Sequence, residues 1–392
     1  MTADHDQSDL TPNRLPHPLS VTCEQWADAC HAHRGGRQWA TKAYKKLFRE
    51  ADSSELVEPW RGFDPFLPVV GEQVSPSDGP EGDTVKILTE IEADADGKSA
   101  AERDAAAHDR TLPVESVVIP MIGRTGSLTY TLCVSSQVGC AMGCEFCETA
   151  QMGHVKNLSP QQIVGQWFTA QHGHGATHGK RIKNIVFMGM GEPLDNADNV
   201  IQAIGVLNDR SAANIGMRCI TVSTVGRVDG IWKLRRQCEQ HGWRRLGVAI
   251  SVNAPNDEIR DQIMPINKRW NMAELRDSLI DYPRSGQNRI MIEYVLIPGV
   301  NDRLEHADEL AAWVEPLLCA VNVIPYNPRR DSPWPAPEER VVDAFVERLR
   351  SKRVFTKRRK TKGRDQMAAC GQLGTEHIRG RKLVTLSTGV SG

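Results

Sequence analysis

Cys140-Ala-Met-Gly-Cys144-Glu-Phe-Cys147 sets three thiols in one short loop, just after the apolar run Thr129–Val134. Three thiolates at this spacing can wrap one face of a metal centre. Iron–sulfur clusters are normally held by four cysteines, and no fourth stands nearby. The loop therefore suits a four-iron, four-sulfur cluster with one iron left open, which could chelate the amine and carboxylate of S-adenosylmethionine (SAM). The competing reading is a zinc site completed by a distant cysteine or histidine, and the triplet alone leaves both open.

The fold follows from what comes after. From Leu128 the chain alternates between β-rich runs and helical segments. Strands are expected near 129–134, 184–188, 219–224, 246–252, 291–296 and 321–326. Helical segments are expected near 160–172, 197–208, 228–240, 256–283, 304–317 and 337–350. Six βα units predict an α/β fold with a parallel sheet curled into a full or partial barrel, with chemistry at the C-terminal strand ends. The second motif sits at such an end. Gly189-Met190-Gly191-Glu192-Pro193 follows the run Ile185–Met188. Glycines let backbone approach a ligand closely, and a carboxylate there can accept hydrogen bonds from an ammonium group. A tight strand-to-helix turn is the plainer alternative.

Upstream, residues 19–56 read as a basic helical module, with Trp39, Tyr44, Leu47 and Phe48 between lysines and arginines. A Gly/Pro/Ser/Asp-rich stretch, 71–83, reads as a linker. Two short β runs, 84–91 and 114–119, flank an Ala/Asp/Glu-rich insertion at 93–110. The expected organisation is a helical module at 1–70, linker and short β segments at 71–125, a core at 126–358 and a C-terminal segment at 359–392. The polar, acidic start lacks the layout of a secretory signal, and no run of 18 apolar residues predicts a membrane span. The 10 cysteines then belong in a reducing, cytoplasmic setting, as thiols or ligands rather than structural cross-links. Ten basic residues and no acid lie between Arg348 and Arg364, a candidate surface for RNA phosphates or simply a solvated face.

Taken together, several motifs carry a resemblance. These are Cys133-Val-Ser-Ser-Gln-Val-Gly-Cys140, the cysteine loop, Gly189–Leu194 and Ala254-Pro-Asn-Asp-Glu-Ile. To them are added Met264-Pro-Ile-Asn267, Ile324-Pro-Tyr-Asn-Pro328 and Ala368-Ala-Cys-Gly-Gln-Leu373. In this order they resemble the RlmN/Cfr family of radical SAM RNA (adenine) methyltransferases, over about 19–373. The resemblance implies a partial (β/α)6 radical SAM barrel behind a small N-terminal helical domain. It implies that Cys140, Cys144 and Cys147 ligate one 4Fe-4S cluster. Gly191, Glu192, Ser223, Ser251, Val252, Asn253 and Asn327 would contact SAM, two molecules being used per turnover. Cys370 would carry a methyl group, Glu115 would accept the proton from the base, and Cys133 would release the RNA by forming a Cys133–Cys370 disulfide. On pattern alone Cys370 would be a small buried residue, Cys133 a strand-core residue, and Glu115 a solvent-face residue.

The implied reaction is methylation of an adenine ring carbon in large-subunit (23S) rRNA, and in some members of a tRNA adenosine. Gly191-Glu192-Pro193-Leu194 is closer to the C2-methylating branch. The implied partners are RNA and an electron donor such as flavodoxin, with a monomeric chain and no membrane. Two stretches depart from the common pattern: Ser251-Val252-Asn253, where many relatives have Ser-Leu-His, and Asp365-Gln366-Met367, where many have Asp-Ile-Asp. Replacing any one of Cys140, Cys144 or Cys147 with alanine should abolish cluster assembly, checked by iron and sulfide content of anaerobically reconstituted protein. Full iron loading of the triple variant would exclude the loop as the ligand set.

Overall fold

Runs of β-branched residues that are apolar on both faces belong in the middle of a parallel sheet, and the chain places them there. The computed structural model describes residues 15–359 and 371–374, apart from 34, 78, 94–110, 124–125, 174–176, 178, 241 and 287. In chain order the strands are β1 Val69–Ser75, β2 Thr84–Glu92, β3 Thr111–Ile122, β4 Leu128–Cys133, β5 Gln137–Gly139 and β6 His154–Asn157. They continue as β7 Ile182–Phe187, β8 Ile220–Thr224, β9 Gly247–Ser251, β10 Ile290–Leu296, β11 Cys319–Pro325 and β12 Thr356–Arg358. The α-helices are α1 Cys23–Ala29, α2 Gly36–Glu50, α3 Pro160–Phe168, α4 Ala197–Asn208 and α5 Val228–Gln240. They are followed by α6 Asp257–Ile263, α7 Met272–Leu279, α8 Leu304–Val314 and α9 Glu339–Ser351.

Ten strands form one sheet in the order β1-β2-β3-β4-β7-β8-β9-β10-β11-β12. From β4 to β12 every pairing in it is parallel. β1, β2 and β3 add an antiparallel extension beside β4. The sheet stays open at β1 and β12, so it is a partial barrel, as the six βα units lead one to expect. All C-terminal ends of the parallel strands face the same way, and the connecting loops meet there.

Two local expectations are corrected. The stretch 71–83 is not simply linker, because β1 occupies its first part and pairs with β2 from Val69 to Ser75. The expected helical segment 256–283 is two helices, α6 and α7. Pro265 follows Met264, and the residue before a proline is driven out of the helical region; Met264 has φ −140° and ψ 89°. The 93–110 insertion falls outside the described residues except for Ala93.

The N-terminal helices share their core with the barrel. α1 is started by a capping box, in which the Thr22 side chain accepts from Gln25 N–H and the Gln25 side chain accepts from Thr22 N–H. The Cys23 N–H donates to Asp209 Oδ2 at 2.7 Å, beyond the end of α4. Phe48 on α2 stacks near Trp167 and meets Phe168 edge-on, both on α3. Among the described residues no helix is long and apolar enough to cross a membrane.

α5 lies close against Leu194 at Gly230. A Cβ added there would lie 2.5 Å from Leu194 Cβ and 3.1 Å from Leu194 O. Alanine favours a helix by about 1 kcal/mol over glycine, while overpacking costs about 1–3 kcal/mol. The backbone contact decides the sign: Gly230→Ala should lower stability by roughly 1 kcal/mol, read as a lower thermal midpoint. A raised midpoint would show that α5 can shift away from Leu194.

Candidate active site

The loop that carries the three cysteines and the C-terminal ends of β7–β11, with the loops after them, line a cleft. One wall is the cysteine loop, which the backbone holds on both flanks. Cys140 N–H donates to Gly153 O at 2.8 Å, and Glu145 N–H donates to Ile263 O at 3.1 Å, at the end of α6. The Gln151 amide donates to the carbonyls of Cys144 and Cys147. Gly139 (φ +72°) precedes the loop, and any side chain there would strike the carbonyl of Gly153.

All three cysteines line the cleft. Burial pushes the Cys140 thiol up to about 12. Cys144 is raised by burial and then by negative charge on Cys147 and Cys140, while Arg260 opposes the rise. Thiols so placed become thiolates together only when a cationic group joins them, and that is the donor set of a metal centre. Among the described residues no three His, Cys, Asp or Glu side chains close around a single ion. Three thiols, with no fourth described cysteine lining the cleft, suit an iron–sulfur group that leaves one iron open.

A second part of the wall is the Gly189–Pro193 turn. A Cβ on Gly189 would meet Val134 O at 2.6 Å, and one on Gly191 (φ +96°) would meet Gln137 Cβ at 2.5 Å. Only glycine lets the turn lie this close to the loop before the cysteines. Glu192 is buried; its Oε1 accepts from Leu194 N–H at 3.0 Å and its Oε2 from Val225 N–H at 2.8 Å. Burial raises its pKa, against the pull of those backbone donors. Ser223, Ser251, Asn253 and Asn327 also line the cleft. Asn253 (φ +56°) accepts from Val295 N–H through Oδ1 at 2.9 Å. Val252 does not face the cleft; its side chain joins the barrel core, and only its neighbours point at the cavity.

These findings agree with what the chain is similar to. Residues 134–311 match the radical SAM superfamily. A probable dual-specificity RNA methyltransferase RlmN 1 from Protochlamydia amoebophila is 37% identical over 371 residues, covering 93% of this chain and 95% of the relative. This chain belongs to the RlmN family of radical SAM methyltransferases. The dual-specificity RNA methyltransferase RlmN of Lawsonia intracellularis is 42% identical over 267 residues, 68% of this chain and 73% of that one. The crystal structure of a radical SAM methyltransferase from Sphaerobacter thermophilus superposes with a TM-score of 0.74 at 31% identity, covering 90% of this chain and 98% of that one.

Membership of the radical SAM superfamily implies a 4Fe-4S cluster and SAM, and the cleft of this RlmN family member has thiols that could hold the first and a glycine–carboxylate turn that could hold the second. Glu115 lies on β3, but not on a solvent face: it is 2% exposed. Its Oε1 lies 3.7 Å from Lys86 Nζ, and its Oε2 accepts from Gly374 N–H at 3.1 Å. Burial raises its pKa, opposed first by Lys86. Cys133 is buried at the end of β4, opposite Val117 of β3 and so beside the strand that carries Glu115. Cys370 lies outside the described residues. Its successor Gly371 lines the cleft, and the segment after it is tied to the cysteine loop. Glu148 N–H donates to Gly371 O at 2.7 Å, and the Thr149 hydroxyl donates to Leu373 O at 2.5 Å. No disulfide joins any two of the described cysteines.

The acid-free run is not a uniform basic face. Arg348 and Lys352 pair with Asp308, Arg350 with Glu347, Arg358 with Glu339 and Asp343, and Arg359 approaches Glu293. Asp308 of α8 and Glu293 of β10 reach it only on folding, whereas Glu347 pairs with Arg350 within α9. Lys360, Lys362 and Arg364 lie outside the described residues.

Several contributors were missed from sequence. Gln137 accepts from Glu192 N–H through Oε1 at 2.8 Å. Ser135 accepts from Met190 N–H and donates to Glu115 O, joining the glycine turn to β3. Both lie inside the quoted Cys133–Cys140 motif, which was the available signal. Glu192→Gln would set an amide NH2 against one of two backbone N–H donors. We expect at least about tenfold weaker binding of S-adenosylhomocysteine, since a buried hydrogen bond to a charged group is worth roughly 1.5–3 kcal/mol. Unchanged affinity by calorimetry would remove Glu192 from the ligand wall.

Proposed function

We propose that this chain methylates a ring carbon of adenine, C2, in 23S rRNA and in tRNA, through a methyl group carried on Cys370. The observation that carries the reading is the tether of the residues after Cys370. Gly371 lines the same cleft as the three cysteines, and Gly374 N–H binds the Glu115 carboxylate. The names of the relatives supply RNA as the substrate class.

Adenine C2 lies between two ring nitrogens and is electron-poor, so simple methyl transfer to it is not feasible. Bound in the cleft, the cluster and SAM would supply the methyl group, two SAM being used per turnover, and the one-electron chemistry that activates it. The protein's part falls to three side chains. Cys370, as thiolate, takes up the methyl and later links it to the base. Glu115, its basicity raised by burial and held beside Lys86, takes the ring proton. Cys133 attacks the Cys370 sulfur: an S–S bond forms, the C–S bond breaks, and the released carbon takes a proton to complete the methyl group. The reading further expects a low-potential donor such as flavodoxin, a cytoplasmic setting and a monomer.

The two cysteines should fail differently. Cys370→Ala should acquire no methyl group and leave RNA untouched. Cys133→Ala should join the methyl carbon to RNA and then stall, so a covalent protein–RNA adduct accumulates only in this variant. Denaturing electrophoresis with peptide mass spectrometry of both variants decides. Normal turnover by Cys133→Ala, or a methyl group on another cysteine, would overturn the assignment.

A further inference from the structure

Two motifs, Ala254-Pro-Asn-Asp-Glu-Ile and Met264-Pro-Ile-Asn267, contribute little to the cleft lining, yet Arg260 stands between them. It is fully buried, the largest charged side chain that is. Its Nε donates to Val252 O at 3.1 Å, its Nη2 to Val225 O at 2.6 Å and Ser251 O at 3.4 Å, and its Nη1 to Asn267 Oδ1 at 2.8 Å. Every acceptor is neutral. The nearest acids are reached only through Asn267, whose amide donates to Asp257 Oδ1 at 2.9 Å and to Asp261 Oδ1 at 2.8 Å.

We propose that Arg260 is a positioning residue: its guanidinium locks the ends of β8 and β9 that form the SAM wall. The inference rests on reading the cleft as a cluster and SAM site. This follows from the carbonyls it holds. Val225 gives its N–H to Glu192 while its carbonyl is held by Arg260. Ser251 lines the cleft while its carbonyl is held by the same guanidinium. Arginine's rigid fork suits this, since it can bind several carbonyls of fixed direction at once.

The test uses the full chain, reconstituted anaerobically, as wild type, R260K and R260M. Iron and sulfide content and the reduced-cluster EPR signal of the wild type test the cluster reading itself; differences between variants and wild type test Arg260. R260M keeps volume and removes charge and fork; R260K keeps the charge and loses the fork. Both should load iron as the wild type does and bind S-adenosylhomocysteine at least about tenfold more weakly, and added SAM should change their reduced-cluster EPR signal only at correspondingly higher concentration. Wild-type affinity in iron-loaded R260K overturns the positioning role. Should R260M fail to fold, R260K still decides.

Discussion

The cleft is organised around the burial of negative charge. Three cysteines and the Glu192 carboxylate lie together at the strand ends, and burial raises the pKa of each. Desolvating such groups is unfavourable unless each ionised form finds a partner. Backbone N–H groups meet Glu192, Arg260 holds the carbonyls of Val225, Ser251 and Val252 nearby, and the thiol triplet offers the donor set of a cationic iron–sulfur core. The close approach of glycine turns, the bend at Asn253 and the buried Arg260 all serve that one arrangement.

The same constraint explains why so much of the polar machinery is indirect. Gln137, Ser135 and Asn267 each join two segments far apart in sequence: Gln137 reaches the Glu192 turn, Ser135 ties that turn to β3, and Asn267 relays two aspartates to Arg260. Such networks are strong only when all members are satisfied. The antiparallel strands β1–β3 have a comparable part on the other side. By extending the sheet beyond β4 they bring Glu115 beside the strand that ends in Cys133, and the chain after Cys370 returns to that carboxylate through Gly374.

Much of the fold was legible in the chain itself. Six apolar runs and their intervening helical segments were set by composition and period, because strands buried on both faces must be apolar throughout. The cysteine spacing and the Gly189–Pro193 turn were equally local, since close backbone approach demands glycine wherever it occurs. Long ordered motifs then pointed to the family. Strand β1 was hidden because a Gly/Pro/Ser-rich run carries no clear period, and the break between α6 and α7 was masked by helix-favouring residues on both sides of Pro265.

Tertiary structure decided whatever depends on partners distant in the chain. Glu115 reads as a solvent-facing strand residue, but Lys86, Gly374 and the sheet bury it. The basic run reads as an open cationic face, yet acids from α8, α9 and β10 meet most of its described members. Arg260 gives no signal in a helix that has an exposed acidic side, and its importance appears only where carbonyls from two strand ends converge on it. Local sequence fixes periodicity and turn chemistry because these act over a few residues. Charge, burial and hydrogen-bond pairing are sums over neighbours that the fold alone brings together.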